Sequence, residues 1–541
     1  MMSDALINWK RRYGIACQSL CQTLHCRIKS MRPMKNIIAI FLACTTSMSV
    51  PAQSQGGTSD DPASANTDAT RRLLELCQNP DASPEDVGAA IRDGADPKAV
   101  IEMRTRIPIL GNRERMVRRT ALQVAAMTIR DPKVIRLMID AGSKLTPNLI
   151  RFAANHNPNP GVIVALLDSW NRVPNARDLN GIRLFSEACE SNESVAVIRW
   201  FLETQPGNLN ASDENVNAGM TPFQTACGSN LNPEVIRLLV DSGGNLKATR
   251  RGGISPLMFA AMSNTPEITE VLIESGSKVN DRTHKGMSAY LYAALSSRYP
   301  DTFQLLVEHG ADPNAMEYGV NAIEMSAAIN ENAGIMAAII AAGTRLPPLT
   351  SDGESVLSWA CGNPNPTVVE ALLEAGVDPN PKNAEPPLLS FASLNVDPEV
   401  IQVLLGAGAD VNARSIKVIP GMLEFKPFFL PGTTPLMLAC DNISTEDIVP
   451  FISVLLDGGA NANDANQGGY TPLMFVANKR YKTGSTAEVI RLLIQAGADP
   501  SARNQSGLTA RDIAEANPKL EAIDLDAAFQ PLGVDSPPAD E

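Results

Sequence analysis

Residues 397–412 read DPEVIQVLLGAGADVN, and this stretch decides the fold. An aspartate and a proline precede a short segment with apolar residues on one helical face, and the segment closes on Gly408. Proline fits the first position of a helix, where its missing N–H costs no hydrogen bond, and an Asx oxygen accepts a free amide there. Glycine takes the left-handed conformation that ends many helices. The stretch therefore predicts one capped amphipathic helix followed by an Asp-x-Asn turn.

The same helix recurs along the chain at an almost constant spacing. Successive closing glycines are 33, 34, 33, 33 and 32 residues apart, at Gly243, Gly276, Gly310, Gly343, Gly376 and Gly408. Further closing glycines stand at wider spacing, at Gly94, Gly142, Gly459 and Gly497. Capped starts recur with them, at Asp131-Pro132, Asn232-Pro233, Thr265-Pro266 and Asn365-Pro366. Such a period indicates a stacked repeat protein, because one helix pair cannot bury its own apolar face.

A second motif, Gly-x-[Ser/Thr]-Pro-Leu, opens another helix in the unit and begins at Gly253, Gly432 and Gly469. With this motif, the period and the pattern Val-Ile-x-Leu-Leu-x-x-Gly-Ala-Asp-x-Asn, the sequence resembles the ankyrin-repeat family. The resemblance covers nearly all of residues 67–530. It implies an all-α solenoid of about 12 helix-turn-helix repeats plus a C-terminal cap, with hairpin-like inter-repeat loops. It also implies a concave surface that binds another protein.

The sequence departs from the family pattern in two ways. The usual histidine after Thr-Pro-Leu is replaced by Gln224, Met258, Met437 and Met474. The units around residues 145–215 and 319–350 are degenerate. These departures affect the local regularity of the repeats and their count, while the fold expectation stands.

The first 52 residues predict export. Lys35, the apolar run at 37–43 and Val50-Pro51-Ala52 form a secretory signal peptide with cleavage after Ala52. The run is too short for a transmembrane helix, so no transmembrane anchor is expected; a lipid anchor at Cys44 is the alternative. Residues 53–66 read as a disordered linker and residues 531–541 as a disordered tail. The pattern favours a periplasmic or secreted protein from a bacterium, with translation starting at Met31 or Met34 as a further hypothesis.

Charge and motif content exclude several functions. The formal net charge is −13, and beyond residue 52 there are 39 basic and 58 acidic residues, so nucleic acid is not an expected partner. The sequence contains no His-Glu-x-x-His, paired Cys-x-x-Cys, phosphate loop or Gly-x-Ser-x-Gly. His156, His284 and His309 are interpreted as solvated or capping residues. The chain is therefore expected to be non-enzymatic, without catalytic residues, metal or cofactor.

Five cysteines occupy a repeat position that is normally a small buried residue: Cys77, Cys189, Cys227, Cys361 and Cys440. Packed helices lie about 8–10 Å apart, whereas a disulfide needs Cα atoms within about 7 Å. The sequence therefore predicts five free thiols that serve in packing. Met258, Met437 and Met474 also share one repeat position, which indicates packing between helices.

Two insertions break the repeat length, and insertions in repeat arrays often lie on the binding face. Residues 103–119 predict a hairpin with its turn at Gly111-Asn112. It carries Arg104, Arg106, Arg113, Arg115, Arg118 and Arg119 against Glu114. Arginine suits bidentate contact with carboxylates or phosphates. The insertion either binds a partner or neutralises acidic neighbours in the stack.

The second insertion, residues 415–431, is apolar and includes Phe425, Phe428 and Phe429. Such a loop either folds back over the neighbouring helices or contacts a partner. The whole sequence favours an exported scaffold that binds another protein of unknown identity. The alternatives are an inhibitor or immunity-type protein that occludes an enzyme, and an enzyme with an acidic site in the groove.

Overall fold

The computed structural model describes residues 68–530 with internal gaps. The gaps are 108–112, 172–180, 215–218, 250–251, 318, 349–354, 364, 382–386, 394–396, 417–429, 441–447, 479–485, 519 and 521–522, and the side chains of 103–107 and 113–115. Several sequence predictions lie outside the described residues. These are the signal peptide, the Cys44 anchor, the linker, the tail, the Gly111-Asn112 turn, and Phe425, Phe428 and Phe429.

The described residues form two compact units, residues 68–293 with 305–311 and residues 294–304 with 312–530. The N-terminal unit begins with α1 (Asp68–Gln78), α2 (Pro84–Arg92), β1 (Val100–Ile107), β2 (Arg113–Thr120), α3 (Ala121–Thr128) and α4 (Pro132–Asp140). It continues with α5 (Pro147–His156), α6 (Pro160–Asn171), α7 (Gly181–Ser191), α8 (Val195–Thr204), α9 (Pro222–Ser229), α10 (Pro233–Asp241), α11 (Pro256–Ser263) and α12 (Pro266–Glu274). A 3₁₀ turn, Pro206–Asn208, follows α8.

The pair α13 (Ala289–Ser296) and α14 (Asp301–Glu308) spans the division between the units. The C-terminal unit contains α15 (Ala322–Ile329), α16 (Ala333–Ala341), α17 (Val356–Ala360), α18 (Thr367–Glu374), α19 (Leu388–Ala392) and α20 (Glu399–Gly406). It ends with α21 (Pro435–Cys440), α22 (Val449–Asp457), α23 (Pro472–Ala477), α24 (Thr486–Gln495), α25 (Ala510–Glu515) and α26 (Leu525–Phe529). The described helices thus form thirteen pairs, which agrees with the expected dozen repeats and a cap.

Within each unit, first helices pack on first helices and second helices on second helices. In the N-terminal unit α5 contacts α7 and α7 contacts α9, while α4 contacts α6 and α10 contacts α12. In the C-terminal unit α15 contacts α17 and α16 contacts α18. Each pair therefore completes its core with the pair beside it, as the repeat period predicts.

Several first helices begin with a reciprocal capping box, in which the side chains of the N-cap and the third helical residue each accept a backbone amide. The pairs are Thr120 with Gln123, Thr221 with Gln224, Ser255 with Met258, Asn321 with Glu324, and Thr509 with Asp512. Gln224 and Met258 are two of the residues that replace the family histidine. The structure gives the reason that they are tolerated: each offers an acceptor atom to the N-cap amide.

The second helices follow the predicted capping in part. Asp131 and Asn232 accept amides of the first turn, from Lys133 at 2.8 Å and Glu234 at 2.9 Å. Thr265 caps no amide with its side chain, which corrects the expectation for that residue.

Two predicted proline positions were wrong by one residue. Pro366 and Pro398 are N-caps rather than first helical residues, because α18 and α20 begin at Thr367 and Glu399. The preceding Asn365 still accepts the Thr367 amide, at 3.0 Å.

The closing glycines adopt the predicted left-handed conformation. Gly243 has φ of 91°, and the next amide, that of Gly244, donates back to the Leu239 carbonyl at 2.9 Å. All ten glycines that the sequence singled out have positive φ. The prediction of a left-handed cap is confirmed at these ten positions.

The five cysteines are free and buried, as their repeat position predicts. Burial raises the pKa of Cys77 to about 12 and raises the pKa values of Cys189, Cys227 and Cys361 still further above the ordinary range. The negative charge that a neighbouring Cys227 thiolate would carry adds to the effect at Cys189. These four thiols are therefore protonated packing groups rather than nucleophiles.

A row of buried asparagines joins successive first helices in the N-terminal unit. The side-chain amide of Asn230, which is 1% exposed, donates to the carbonyls of Cys189 at 3.1 Å and Asn192 at 3.0 Å. Cys189 lies in the last turn of α7, where backbone carbonyls lack partners inside the helix. The same arrangement recurs at Asn157, Asn192 and Asn264, and in the C-terminal unit at Asn330 and Asn363. Each such asparagine caps the first helix of the preceding repeat.

A second row of asparagines lies in the exposed turns that follow the second helices of the repeats. Asn412 donates to the Gly459 carbonyl at 3.1 Å and accepts the Asn461 amide at 2.8 Å. Asn210, Asn380 and Asn463 make the same two bonds to their next repeats. These asparagines, among them Asn412 of the Ala-Asp-x-Asn motif, are therefore bridges between repeats as well as turn residues.

Candidate functional site

The first insertion is an antiparallel hairpin that lies between α2 and α3 along the chain. β1 and β2 pair over eight residues each, from Val100 opposite Thr120 to Ile107 opposite Arg113. The hairpin predicted for residues 103–119 is confirmed, and it begins three residues earlier than expected. At its base the Ala121 amide donates to the Ala99 carbonyl at 2.8 Å, which joins the hairpin directly to α3.

The register places the hairpin arginines on both strands. Arg104 stands opposite Met116, Arg106 opposite Glu114, Arg113 opposite Ile107 and Arg115 opposite Thr105. Arg118 stands opposite Glu102, and its Nε lies 3.3 Å from a Glu102 carboxylate oxygen, with both side chains exposed. An ion pair so open to solvent contributes little to stability. Arg118 thus finds its acidic neighbour inside the hairpin rather than in the stack.

Arg119 anchors the hairpin to the helices. Its guanidinium carbon lies 4.7 Å from the ring centroid of Phe152 on α5, and its Nη1 lies 2.6 Å from the Met127 sulfur on α3. A guanidinium over an aromatic face gains a cation–π attraction. Burial lowers the pKa of Arg119. Burial around the ring, and then the charge of Arg119, lower the pKa of His156, which favours its neutral form.

A charged cluster lies on α5 and α7, next to this anchor. Nε of Arg151 lies 2.6 and 2.7 Å from the two carboxylate oxygens of Glu187, and Nε of Arg183 lies 3.3 Å from one of them. The Glu187 side chain is only 8% exposed, so this carboxylate is held between two guanidinium groups in a sheltered place. Buried carboxylates need such partners to remain charged.

Glu190 is one turn further along α7. Burial and the Glu187 charge raise the pKa of Glu190 to about 7, against a lowering by Arg151. At neutral pH this carboxyl is only partly charged. The cluster of Arg119, Arg151 and Arg183 against Glu187 is therefore net positive within an acidic chain.

Sequence reasoning missed the α5–α7 cluster. The sequence did contain a signal. When the two cysteines Cys189 and Cys227 are aligned, Glu187 and Glu190 stand where the next repeat has Thr225 and Gly228. Charged residues on a first helix, where other repeats have small or apolar ones, mark this region. This unit departs from the repeat pattern, and its charge is what distinguishes it from the other repeats.

The second insertion is described only at its base. The Ser415 and Thr433 backbones close the loop, with Ser415 N–H donating to the Thr433 carbonyl at 3.1 Å and Gly432 N–H donating to the Ser415 carbonyl at 2.7 Å. Ile416, where the described part ends, is 70% exposed. It lines a shallow groove with Pro379, Leu388 and Arg414.

Neither a cluster of metal-binding side chains nor a membrane-spanning helix occurs in the part of the chain that the structure describes. No group of three or more His, Cys, Asp or Glu side chains there could hold a metal ion. None of the helices given above is both long enough and apolar enough to cross a bilayer.

Comparisons with known proteins identify the repeats. A family model for three ankyrin repeats matches residues 229–317 and 324–415, and a model for many ankyrin repeats matches residues 455–514. An ankyrin repeat protein of Acanthamoeba polyphaga mimivirus is 30% identical over 92 residues, which is 17% of this chain and 12% of that protein. The human ASB11 ankyrin repeat domain matches at 20% identity and a TM-score of 0.36, over 44% of this chain and 99% of the domain.

The family models fall on helix pairs whose capping, glycine closure and spacing are those of the repeat. Ankyrin-repeat domains generally mediate protein–protein interaction and are typically non-enzymatic. The family models thus identify residues 229–317, 324–415 and 455–514 of this chain as ankyrin repeats.

Proposed function

We propose that this protein is an exported scaffold that binds another protein through one basic surface of its N-terminal unit. This arginine surface comprises the hairpin, whose six arginine positions the strand register divides three to each face, together with Arg151 on α5 and Arg183 on α7. The anchoring of Arg119 on Phe152 carries the proposal, because it places the base of an arginine-rich hairpin beside the α5–α7 cluster. In a chain with a net charge of −13, such a concentration of positive charge favours an acidic partner.

Two features support a protein as the partner. Ankyrin repeats are protein-binding modules. Arginine is also enriched at protein interfaces, where its planar head group bonds carboxylates in pairs. The exposed Arg118 and the half-buried Arg119 together offer both a solvent-facing charge and a positioned one.

Export is part of the same proposal and is supported by the residue pattern of positions 34–52. A cleaved signal peptide would place the repeats in the periplasm or outside the cell. Mass spectrometry of the native N-terminus tests this directly: a chain beginning at Gln53 supports it. A chain that retains residues 34–52 without a lipid on Cys44 contradicts it.

Affinity capture tests the arginine surface. The quadruple variant with Arg104, Arg106, Arg113 and Arg115 each changed to Glu should lose a stoichiometric partner that the wild type captures from the native envelope fraction. The matched control is Arg237→Glu, because Arg237 is a half-exposed arginine on the second helix α10, ion-paired with Glu274. Equal capture by the quadruple variant and the control would refute the arginine surface.

The captured protein also separates a scaffold from an inhibitor. If the partner is an enzyme whose turnover stops on binding, this protein acts as an inhibitor that occludes the enzyme. If turnover is unaffected, the protein acts as a scaffold.

The aromatic insertion needs its own test because its side chains lie outside the described residues. Alanine at Phe425, Phe428 and Phe429 separates packing from recognition. A lowered melting temperature indicates that the loop packs on the repeats, whereas lost capture at unchanged stability indicates recognition.

A further inference from the structure

We infer that the β1–β2 hairpin binds its partner by strand addition: an acidic segment of the partner, in extended conformation, pairs with the outer edge of β2. The inference rests on the proposed function and goes further, because it names the conformation and the chemistry of the bound segment.

The first observation is the open sheet. In the part of the chain that the structure describes, the sheet contains β1 and β2 and no third strand. In an antiparallel pair, alternate residues of each strand direct their N–H and C=O groups away from the partner strand. An eight-residue strand such as β2 therefore presents a row of backbone donors and acceptors along its outer edge. Such an edge is a template for another strand.

The second observation is that the hairpin is built as an incomplete sheet. A two-stranded hairpin alone is marginally stable in water, and a third strand or a packed face is needed for more. Here the described contacts that hold the hairpin on the helices are concentrated at its base. They are the hydrogen bond from the Ala121 amide to the Ala99 carbonyl and the contacts of Arg119 with Met127 and Phe152. A third strand would supply the missing backbone pairing over the rest of the arms.

The third observation is the distribution of charge between the two strands. β2 contains Arg113, Arg115, Arg118 and Arg119 with one glutamate, whereas β1 contains Arg104 and Arg106 with one glutamate. The β2 edge is therefore the more basic one. Directly opposite residues of neighbouring strands lie about 5 Å apart, so opposite charges there attract and like charges repel.

The spacing within β2 specifies the acidic pattern. Arg113 and Arg115 are two residues apart in β2, so their positions in the strand share one face of the sheet. A bound strand with Asp or Glu at every second position would place its carboxylates on that face, opposite both arginines. A block of consecutive acidic residues would place half of its charges on the other face. The structure thus favours an alternating acidic strand over a merely acidic one.

The test uses the full protein and synthetic peptides, with binding followed by fluorescence anisotropy. The probe is a short peptide that alternates Glu with Val and Thr, and its control has the same composition with the glutamates in one block. Strand addition predicts that the alternating peptide binds at least about tenfold more tightly, because only it combines backbone pairing with matched charges. Equal affinities would overturn the inference.

A second pair of peptides isolates the backbone. Two versions of the alternating peptide carry N-methyl groups on every second amide, offset from each other by one residue. In strand addition only one set of amides faces β2, so one version should lose binding and the other should keep it. If both bind like the parent peptide, the contact is purely electrostatic and strand addition is wrong.

These outcomes are separable from those of the proposed function. If the quadruple arginine variant loses its native partner while neither peptide pattern nor N-methylation matters, the arginine surface stands and strand addition falls. If the variant keeps its native partner, the proposed function itself falls. Slowed amide hydrogen exchange in β2 on binding the alternating peptide would support the assignment of the edge, and slowing confined to β1 would contradict it.

Discussion

Replacing Asn230 by aspartate tests whether the buried asparagines hold the repeats together. The substitution keeps the shape of the side chain and its acceptor oxygen, which receives the Asn232 amide at 3.0 Å. It removes the donor that bonds the carbonyls of Cys189 and Asn192. The ionised aspartate would therefore place a negative charge against two carbonyl oxygens at a site that is 1% exposed.

The magnitude follows from the two lost bonds. Leaving a buried polar group unsatisfied costs about 1–3 kcal/mol, so two carbonyls indicate a loss of about 4 kcal/mol in the free energy of unfolding. The aspartate is expected to escape part of this cost by taking up a proton, since burial disfavours the charged form. Its folded-state pKa would then lie above its unfolded value. The loss should therefore be larger at pH 8 than at pH 4.

Urea unfolding followed by circular dichroism measures the stability change, and hydrogen exchange locates it. Repeat arrays can unfold in parts, so faster amide exchange should appear first in α7 and α9, because Asn230 links the ends of these two helices. Asn245→Asp is the matched control: Asn245 is exposed, and its side chain accepts the Lys247 amide, a role that aspartate keeps. A change of less than about 1 kcal/mol at Asn230, or an equal change at Asn245, would refute the capping role.

Three further predictions concern single sites. Glu190→Gln should raise the melting temperature at pH 8 and leave it unchanged at pH 4: the folded-state pKa of about 7 lies above the ordinary 4.5, so wild-type stability falls as pH rises through this window. An equal effect at both pH values would contradict this. Arg119→Met should lower the free energy of unfolding by about 1 kcal/mol and speed amide exchange in the hairpin, since the cation–π contact with Phe152 is lost. The control Arg118→Met breaks only an exposed ion pair and should change little. Equal effects of the two variants would show that Arg119 is no anchor. The five buried thiols should resist iodoacetamide until urea unfolds the chain, because burial keeps the reagent away from them, and rapid labelling of any of these five in the native protein would contradict this.

The candidate site shows where sequence reasoning succeeds and where it stops. The hairpin was predictable because alternation and an Asn-containing turn are local signals, and its arginines are visible as a run. The pairing of Arg118 with Glu102 depends on the register of the two strands, which is a property of the folded hairpin and not of any local sequence pattern. The contact of Arg119 with Phe152 joins residues more than thirty positions apart in different elements, and no local pattern encodes it.

The amino-acid sequence by itself determined the repeat, because each helix carries its own start, its own apolar face and its own glycine stop within a few residues. The tertiary structure alone decided what the polar residues do: that Asn230 caps α7, that Asn412 bridges two turns, and that Arg151 holds Glu187. The physical reason is that helix signals act between near neighbours along the chain. Hydrogen bonds and ion pairs between repeats depend instead on how one helix pair packs against the next.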